Sequence, residues 1–500
     1  MGDALSADAL RNVGSDRLAR FLIARRWFGA KAGGSFTARI TDVVPILWPD
    51  GNRASIAKVR VKLGDGPEIS YQLPVVSGDD TGGLLDATED ESFRRNLGQA
   101  FARAGGAEFC EEAGLASWRI ESAGVPEVGN APSRLSSAEQ SNTSVVYGDS
   151  AILKLFRRLE VGEHPDIEIA RFLTTRTSFR NTPELLGAIE FRTLEGKCGA
   201  GMLQRFMPGS VDAWSHALDR ARAYLGASSA ENPFASEAEE LGRVTRELHK
   251  ALASDDSDPA FAPEPVTRAD LARWIAATRD AVGRGLNLLG AQLKVGAVDK
   301  NWSAAAAALA SRREALLSLV DEIVGEIGDA TSAGQRIRHH GDYHLGQVLR
   351  TTNGSWMIID FEGEPSRTLA DRRAKHTPLR DVAGMVRSIA YAAATARGVN
   401  HAAGSGSKGE KGSDTSTAVN AVAETRAAKW ERGARDAFLT GYFGEATREG
   451  APGSAVSMDR STGALLRLLE MDKLFYELEY ELNNRPAWLW IPLRGIARLL

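Results

Sequence analysis

Residues 340–362 contain the side chains of this chain that are best suited to catalysis. The stretch starts with the sequence HGD and ends with the sequence DFE, and Gln347 lies between them. Asp342, Asp360 and Glu362 provide three carboxylates, and Gln347 provides an amide, within 21 residues. Hard oxygen ligands beside a free carboxylate suit phosphoryl transfer, in which one aspartate orients a hydroxyl acceptor while the others hold Mg²⁺ on nucleotide phosphates.

Two short apolar runs predict a hairpin that brings these groups together. Residues 348–349 and 356–359 are typical of strands, and residues 351–354 (TTNG) are typical of the turn between them. Such a hairpin places Asp342, at the entry to one strand, near Asp360 at the exit of the other. Aspartates in loops are often turn residues that make only local hydrogen bonds. The combination of HGD, an amide and DFE favours a functional site instead.

Three of the eight histidines of the chain lie close to this motif, at His339, His340 and His344. A zinc site is one interpretation, but no thiolate and no further paired ligands accompany them. We therefore expect His340 to orient the loop and His344 to contribute to an acceptor pocket.

Lys154 lies within an apolar run, residues 151–156 (AILKLF), in a second predicted hairpin. A lysine in this position needs a partner, and Glu168 on a helix predicted to start near Pro165 is a candidate. The alternative is an exposed strand edge. No glycine-rich phosphate motif occurs, but the preceding loop has small polar side chains that suit anion contacts. The predicted contacts in that loop are Ser141, Asn142, Thr143 and Ser144.

A third group of polar and aromatic residues lies near the C-terminus, in residues 476–486 (YELEYELNNRP). At helical spacing Tyr476 and Tyr480 share one face, and Glu477 and Glu481 form an adjacent strip. Aromatic rings with carboxylates and amides suit a sugar site, although a solvated helix face has a similar composition.

The overall composition is that of a soluble globular enzyme with two or three domains. Hydrophobic residues make up 43% and charged residues 25% of the 500 residues, and the net charge is −4. This charge is spread along the chain, so no nucleic-acid partner is expected. The two cysteines, Cys110 and Cys198, do not indicate a disulfide framework. With no signal or membrane-spanning pattern in the sequence, we expect a cytoplasmic protein without membrane partners.

The order of predicted elements indicates three regions. Residues 1–130 are expected to form a cap of mixed structure, in which the alternating residues 57–63 predict a strand with one buried and one solvated face. Residues 131–208 are expected to form a β-rich lobe. Residues 209–500 are expected to form a helical lobe that carries the catalytic hairpin and, at about 398–420, a flexible insert rich in glycine and serine.

These motifs resemble those of bacterial maltokinases, which belong to the kinase-like superfamily that includes the aminoglycoside phosphotransferases. The resemblance is carried by residues 340–349 (HGDYHLGQVL) and 360–365 (DFEGEP), and it extends over nearly the whole chain. Further family-like segments are 26–31 (RWFGAK), 71–74 (YQLP), 141–146 (SNTSVV), 378–385 (PLRDVAGM), 484–488 (NRPAW) and 491–493 (IPL).

The resemblance implies an α+β, bilobal protein-kinase-like fold with a β-rich N-lobe, a helical C-lobe and an N-terminal α/β cap. It implies an enzyme that uses ATP and Mg²⁺ to phosphorylate maltose at the anomeric hydroxyl, giving maltose 1-phosphate for α-glucan and glycogen synthesis. Asp342 would be the catalytic base, and Lys154 with Glu168 would clamp the nucleotide.

The metal ligands and the adenine hinge also follow from the resemblance. Gln347, Asp360 and Glu362 would form the metal side of the site. The hinge that holds adenine would be residues 204–207, with Gln204, Phe206 and Met207 as contacts. The sugar contacts are expected from the helical face of residues 476–486 and from the position of His344, and they are His344, Tyr476, Glu477, Tyr480, Glu481, Asn484 and Arg485.

Two other functions stay open. A glucosamine kinase of the same family, which makes glucosamine 6-phosphate, would use a carboxylate such as Glu477 or Glu481 to pair the substrate ammonium. A catalytically dead kinase fold that binds a glycan is the remote alternative, but Asp342, Gln347 and Asp360 are all present. The expected partner is a small sugar, maltose or glucosamine, and the expected assembly is a monomer or a homodimer.

Overall fold

A computed structural model describes residues 7–29, 35–64, 66–77, 84–136, 141–227, 231–329, 333–404, 414–444 and 459–500. Side chains are described for these residues except 399–404 and 414–421. The chain divides into two compact units, Met1–Gly209 and Ser210–Leu500.

The first unit is rich in strands, which form two antiparallel sheets. Its elements in chain order are α1 (Ala7–Arg11), α2 (Ser15–Ile23), β1 (Phe36–Leu47), β2 (Arg53–Leu63), β3 (Glu68–Ser77), β4 (Leu84–Asp86), α3 (Glu91–Ala102), β5 (Ala107–Cys110), β6 (Ser117–Ser122), β7 (Ser133–Leu135), β8 (Thr143–Tyr147), β9 (Ala151–Leu155), β10 (Arg158–Leu159), α4 (Pro165–Arg176), β11 (Leu185–Thr193) and β12 (Gly196–Arg205).

The two sheets do not separate at the predicted cap boundary. One sheet has the order β1-β2-β3-β10, with β4 beside β3, and the other has the order β5-β6-β11-β12-β9-β8-β7. Strands from both sides of residue 130 therefore lie in each sheet, because β10 completes the first and β5 and β6 belong to the second. An independent cap that ends at residue 130 stays a prediction.

Strand β2 departs from the predicted alternation of buried and solvated residues. Lys58 is 1% exposed, and its ammonium lies 2.6 Å from Glu195 Oε2. β2 lies between β1 and β3, and a buried charge is tolerated when a partner carboxylate is within reach. The partner is 137 residues away along the chain, which is why the alternation predicted a solvated lysine.

The second unit is mainly helical. Its elements in chain order are β13 (Val211–Asp212), α5 (Ala213–Gly226), α6 (Ala235–Leu252), β14 (Glu264–Pro265), α7 (Arg268–Lys294), α8 (Lys300–Ala310), α9 (Arg313–Ile327), β15 (Gln335–Arg336), β16 (Val348–Arg350), β17 (Trp356–Ile358), α10 (Leu369–Arg373), α11 (Leu379–Gly404), α12 (Asp414–Phe443), α13 (Arg460–Asn484) and α14 (Trp490–Ala497).

Helix α13 is central to this unit, because it packs against α7, α9, α11 and α14. Its buried positions recur at helical spacing and include Leu474, Leu478 and Leu482, as expected for a core helix. The segment predicted as a flexible insert contains the end of α11 and the start of α12, and residues 405–413 lie outside the described residues. Within the described chain, no helix is long and apolar enough to span a membrane.

Candidate active site

The predicted catalytic hairpin is present in the second unit. β16 and β17 pair antiparallel with Val348 opposite Ile358. Directly beside this pair, Gln347 Nε2 donates a hydrogen bond of 2.8 Å to Asp360 Oδ2. Asp360 has a φ of 70° and is the one non-glycine residue with positive φ in the described part of the chain. Such backbone strain is characteristic of functional sites, and here it follows directly on the end of a buried strand.

The chemistry of this donor set fits Mg²⁺. Carboxylate oxygens of Asp360 and Glu362 lie within 4.8 Å of each other. Gln347 donates its amide N–H to Asp360, so the amide carbonyl oxygen is the group it can present to a cation. Oxygen donors of this kind are the ligands that Mg²⁺ takes in phosphoryl-transfer sites. The assignment of these three residues to a metal stays a prediction.

A buried carboxylate anchors the loop that carries Asp342. Asp381 is 1% exposed and accepts hydrogen bonds from the backbone N–H groups of His340 (2.8 Å) and Gly341 (2.9 Å). It also lies 3.1 Å from His249 Nε2. Burial by itself raises the pKa of Asp381, but the hydrogen bond from His249 and the neighbouring His339 lower it far below the ordinary value. Asp381 therefore stays ionised and fixes the loop backbone.

Two glycines bring this loop next to the segment that follows Asp360. Gly341 and Gly363 have φ values of 84° and 72°, which favour glycine. A Cβ on Gly341 would lie 3.2 Å from the Cα of Gly363, so the two backbones are in direct contact. His340 Nε2 also donates to the carbonyl oxygen of Ile359 at 2.9 Å. His340 thus orients the loop, as predicted.

The candidate base Asp342 is flanked by a lysine that the sequence analysis missed. Lys473 Nζ lies 3.8 Å from Asp342 Oδ1 and 3.2 Å from Glu364 Oε1. Burial by itself lowers the pKa of Lys473, but Glu364 and Asp342 more than offset this effect and the pKa is raised. Lys473 lies on α13, one turn before Glu477. Lys473 precedes Tyr476 and Glu477 by three and four residues on α13, and this helical spacing is the sequence signal from which its role could have been predicted.

Glu364 connects Lys473 to two arginines. Its carboxylate is 5% exposed and lies 2.5 Å from Arg367 Nε and 3.3 Å from Arg380 Nη2. Burial by itself raises the pKa of Glu364, but the charges of Lys473, Arg380 and Arg367 lower it from 4.5 to about 2. Glu364 is therefore ionised under all conditions in which the enzyme would work.

This pKa shift predicts a pH dependence of stability. A carboxyl group with a lowered folded-state pKa stabilises the fold above its unfolded pKa, and this contribution is lost as the pH falls toward the folded value. For Glu364 the shift corresponds to about 3 kcal/mol, lost between about pH 4.5 and pH 2. We expect the difference in unfolding free energy between the wild type and Glu364→Gln to narrow by about 2 kcal/mol from pH 7 to about pH 3. Urea unfolding at several pH values measures it, and a difference that is constant over this range contradicts the assignment.

A cavity of about 280 Å³ lies beside the Asp342 loop, within the second unit. Its lining combines aromatic rings with charged and hydroxyl groups, as a sugar pocket requires. Three of the predicted sugar contacts contribute to it: His344, Glu477 and Arg485. The other lining residues are Trp214, Gly346, Gly384, Arg387, Ser388, Tyr391, Lys473 and Trp488.

The two glutamates predicted to bind the sugar are already paired within the protein. Glu477 is 8% exposed and receives hydrogen bonds from Arg387 at 2.9 to 3.3 Å. Glu481 is 1% exposed and bonds to Tyr391 and to Arg485, the latter at 2.6 Å. Buried carboxylates need such partners. Neither is the freely available carboxylate that the helical-face argument assumed, and only Glu477 is in the cavity lining given above.

The remaining predicted sugar contacts lie on the exposed side of α13. Tyr476 and Tyr480 are 39% and 42% exposed, and their ring centroids lie 6.4 Å apart. Asn484 donates its side-chain N–H to the carbonyl oxygen of Tyr480 at 2.9 Å. Their contact with a sugar stays a prediction.

The three histidines near the HGD motif do not form a metal-ligating group in the described part of the chain. His344 Nδ1 accepts a hydrogen bond from the backbone N–H of Gly346, and His340 binds Ile359. Burial lowers the pKa of His339 to about 4. The structure thus gives no support to the zinc alternative.

The first unit contains the predicted nucleotide side. Helix α4 starts with Pro165, as predicted, and places Asp166 and Glu168 in its first turn. The ammonium of Lys154 lies 3.3 Å from Asp166 Oδ2, and the side chain of Asp166 is 1% exposed. Asp166 is therefore a partner of Lys154 that sequence reasoning missed, because Glu168 was the candidate. The role of Glu168 stays a prediction.

The predicted phosphate loop leads directly into β8. Ser141 is exposed and Asn142 half-buried, while Thr143 Oγ1 accepts a hydrogen bond of 2.8 Å from Arg157 Nε. The Arg157 guanidinium is buried and paired with Asp86, so Thr143 has a structural partner. Two buried side-chain atoms and one backbone N–H group are relevant to the predicted loop and hinge contacts. Buried Ser144 Oγ and Gln204 Nε2 have no hydrogen-bond partner among the described residues, and the Phe206 N–H donates to the Ser150 carbonyl oxygen.

Some of the predicted nucleotide contacts have buried polar atoms without a described partner, and others are already bonded within the protein. Ser144 and Gln204 offer buried polar atoms of the kind that a ligand satisfies. The backbone N–H of Phe206 is already bonded within the protein, and a contact of Phe206 with adenine through another backbone group stays a prediction. Met207 is half-buried, and its contact with adenine stays a prediction.

The chain is similar in sequence to glucosamine kinases. No family model matches the chain. The glucosamine kinase of Mycolicibacterium smegmatis is 28% identical over 367 residues, which are 72% of this chain and 78% of that protein. The glucosamine kinase of Streptacidiphilus jiangxiensis is 26% identical over 253 residues, which are 50% of this chain and 52% of that protein.

Solved structures of glucosamine kinases are also similar to this chain. A glucosamine kinase in complex with glucosamine, ADP and inorganic phosphate has a TM-score of 0.66 and 20% identity, with 99% of both chains covered. A second crystal form of a glucosamine kinase has a TM-score of 0.65 and 21% identity, with 92% of this chain and 93% of that chain covered. This likeness confirms the predicted α+β, kinase-like fold class.

Proposed function

We propose that this chain phosphorylates glucosamine with ATP. The chain is an ATP-dependent phosphotransferase with an alcohol group as acceptor, and its substrate is a small sugar. Within this class, the observation that carries the choice of sugar is that the two relatives described above, from Mycolicibacterium smegmatis and Streptacidiphilus jiangxiensis, are glucosamine kinases. Maltose, the sugar expected from the sequence motifs, has no comparable support.

The geometry around Asp342 supports its role as the base. The loop backbone is fixed by Asp381, and the Asp342 carboxylate stands 3.8 Å from the Lys473 ammonium, which also lines the cavity. Asp342 itself lines a smaller cavity of about 20 Å³, and Gly384 and Lys473 line both this cavity and the larger one. A sugar bound in the larger cavity would have to direct a hydroxyl past Lys473 to reach Asp342. The carboxylate accepts the hydroxyl proton as the sugar oxygen attacks the γ-phosphorus, and the bond from that phosphorus to the bridging oxygen of ADP breaks. We propose the 6-hydroxyl as this acceptor, which gives glucosamine 6-phosphate.

Other residues take part by holding and neutralising charge. Gln347, Asp360 and Glu362 would hold Mg²⁺, which, when bound, neutralises charge on the nucleotide phosphates. Lys154, held by Asp166, would contact a phosphate oxygen of the nucleotide. Lys473 keeps its positive charge because its pKa is raised, so it holds the Asp342 carboxylate in place.

Recognition of the amino group is the part of the proposal that depends on Glu477. Among the residues that line the cavity, Glu477 is the carboxylate, and it is bound by Arg387. A substrate ammonium would therefore share this carboxylate with the guanidinium. Such an arrangement would favour an amino sugar, because an ammonium can form an ion pair with the Glu477 carboxylate, whereas a hydroxyl or an acetamide cannot.

The experiment that tests the proposal compares acceptors. We expect kcat/KM for glucosamine to exceed that for glucose and for N-acetylglucosamine by at least about 100-fold, because glucose lacks the amine and N-acetylglucosamine lacks its charge. Maltose and trehalose are included in the same series. ADP formation measures turnover, and ³¹P NMR of the product identifies the phosphorylated hydroxyl.

Two results would contradict the proposal. Faster turnover of maltose than of glucosamine would restore the maltokinase expectation. Phosphate on the anomeric oxygen of glucosamine would contradict the assignment of the 6-hydroxyl.

A further inference from the structure

A second cavity in the helical unit is lined by an excess of arginines. It has a volume of about 40 Å³ and lies between α11, α12 and α14. Its floor is made of alanines and Gly495, whose short side chains leave the space open. The charged residues that line it are Arg387, Arg397, Arg494, Arg498, Glu424 and Glu431.

The carboxylates near this cavity do not match the arginines in number. Arg397 Nη1 lies 3.4 Å from Glu424 Oε2, and Arg494 pairs with the same Glu424. Arg498 Nη1 lies 2.8 Å from Glu431 Oε2. The fourth arginine of the cavity is bound to Glu477. Because two arginines share Glu424, four guanidinium groups have three carboxylate partners, and one positive charge is not neutralised by these contacts.

The surroundings of these arginines favour an anion. Burial, together with the positive charges of Arg397 and Arg498, lowers the pKa of Arg494 to about 10. Arg397 stacks over the Trp490 ring at 5.0 Å, which fixes its orientation. Its Nε is buried and has no hydrogen-bond partner among the described residues. A buried donor of this kind is costly unless a ligand satisfies it.

We propose that this cavity is a phosphate site, which takes inorganic phosphate or the phosphoryl group of a sugar phosphate. Guanidinium groups bind phosphate oxygens through paired N–H donors, and several converging arginines are the usual recognition element for such an anion. A phosphate here supplies the negative charge that Glu424 and Glu431 leave unmatched.

Arg387 connects this site to the cavity of about 280 Å³ beside the Asp342 loop, which we call the acceptor cavity. Arg387 lines both cavities and binds Glu477 in the acceptor cavity. A Cβ on Gly495 would lie 3.3 Å from Arg387 Nη2, so α14 packs directly on this guanidinium. A phosphate that attracts Arg387 weakens its hold on Glu477. This coupling rests on the proposed function, and it predicts that phosphate changes KM for glucosamine.

Direct binding measurements on the full chain test the site without reference to turnover. Inorganic phosphate and glucosamine 6-phosphate are titrated separately by isothermal calorimetry at constant ionic strength. We expect the double variant Arg397→Gln/Arg494→Gln to weaken binding by at least about tenfold. The matched control Arg460→Gln, which removes an arginine that is 80% exposed on α13, is expected to bind as the wild type does.

A second variant tests the same site in case the double variant does not fold. Ala394→Glu places a carboxylate in the cavity, so it is expected to abolish phosphate binding while the melting temperature stays the same or rises. Tighter binding of the sugar phosphate than of phosphate identifies it as the ligand, and equal binding identifies free phosphate. No binding of either compound, or binding that both variants leave unchanged, overturns the site. Binding at the site with no change in KM for glucosamine overturns the coupling through Arg387.

Discussion

Replacement of Asp342 by asparagine is expected to lower kcat by about 10³-fold while KM for ATP changes by no more than about twofold. Asparagine has the same shape as aspartate, but its amide cannot accept the hydroxyl proton. The backbone of the loop is held by Asp381 and not by the Asp342 side chain, so the variant keeps the geometry of the site. Steady-state kinetics with glucosamine as acceptor measure both constants.

The matched control for this variant is Asp219→Asn on α5. The Asp219 side chain is 76% exposed and pairs with Arg222 on the next turn of the same helix, so kcat is expected to stay within about twofold of wild type. Turnover of Asp342→Asn close to that of the control would mean that another group accepts the proton, and the base assignment would be wrong.

Replacement of Asp381 by asparagine is expected to have the largest effect on stability, with a loss of about 3 kcal/mol in the free energy of unfolding. The carboxylate accepts hydrogen bonds from the backbone N–H groups of His340 and Gly341 through both of its oxygens. An amide has only one oxygen, so its NH₂ group must face one of these donors. Because the loop then shifts, kcat is expected to fall by about 10²-fold.

A second buried aspartate separates the two effects. Asp270 is 2% exposed, accepts hydrogen bonds from Thr267 in the capping box of α7, and lies 2.9 Å from Arg336 Nη1. Asp270→Asn is therefore expected to lower the free energy of unfolding without a change in kcat. Urea unfolding and kinetics on both variants check this. If Asp381→Asn is destabilised but fully active, Asp381 supports the fold and does not position the base.

The hairpin and the pairing of Gln347 with Asp360 were predictable because all of their determinants are local. Strand signals, a TTNG turn and the spacing from Gln347 to Asp360 are sufficient to place an amide beside a carboxylate, and the structure has this hydrogen bond at 2.8 Å. The start of α4 at Pro165 was predictable for the same reason. Each of these features depends on residues fewer than 20 positions apart.

The partners of the candidate catalytic groups were not predictable in the same way. Lys473 reaches Asp342 from a helix more than 100 residues later, and Asp381 anchors the HGD loop from the start of α11. Helical spacing placed Glu477 and Glu481 correctly on one strip of α13, but their partners Arg387, Tyr391 and Arg485 are not evident from that spacing.

Phosphoryl transfer could be predicted from residue types and spacing, because three carboxylates and an amide at this spacing suit that chemistry on any scaffold that brings them together. Which charges are paired, which are buried and which line the cavity beside the Asp342 loop could be seen only in the folded protein. The reason is physical: the cost of burying a carboxylate or an ammonium depends on the groups packed around it. In this chain those groups come from helices that are distant in sequence, so the environment of each charge exists only in the folded protein.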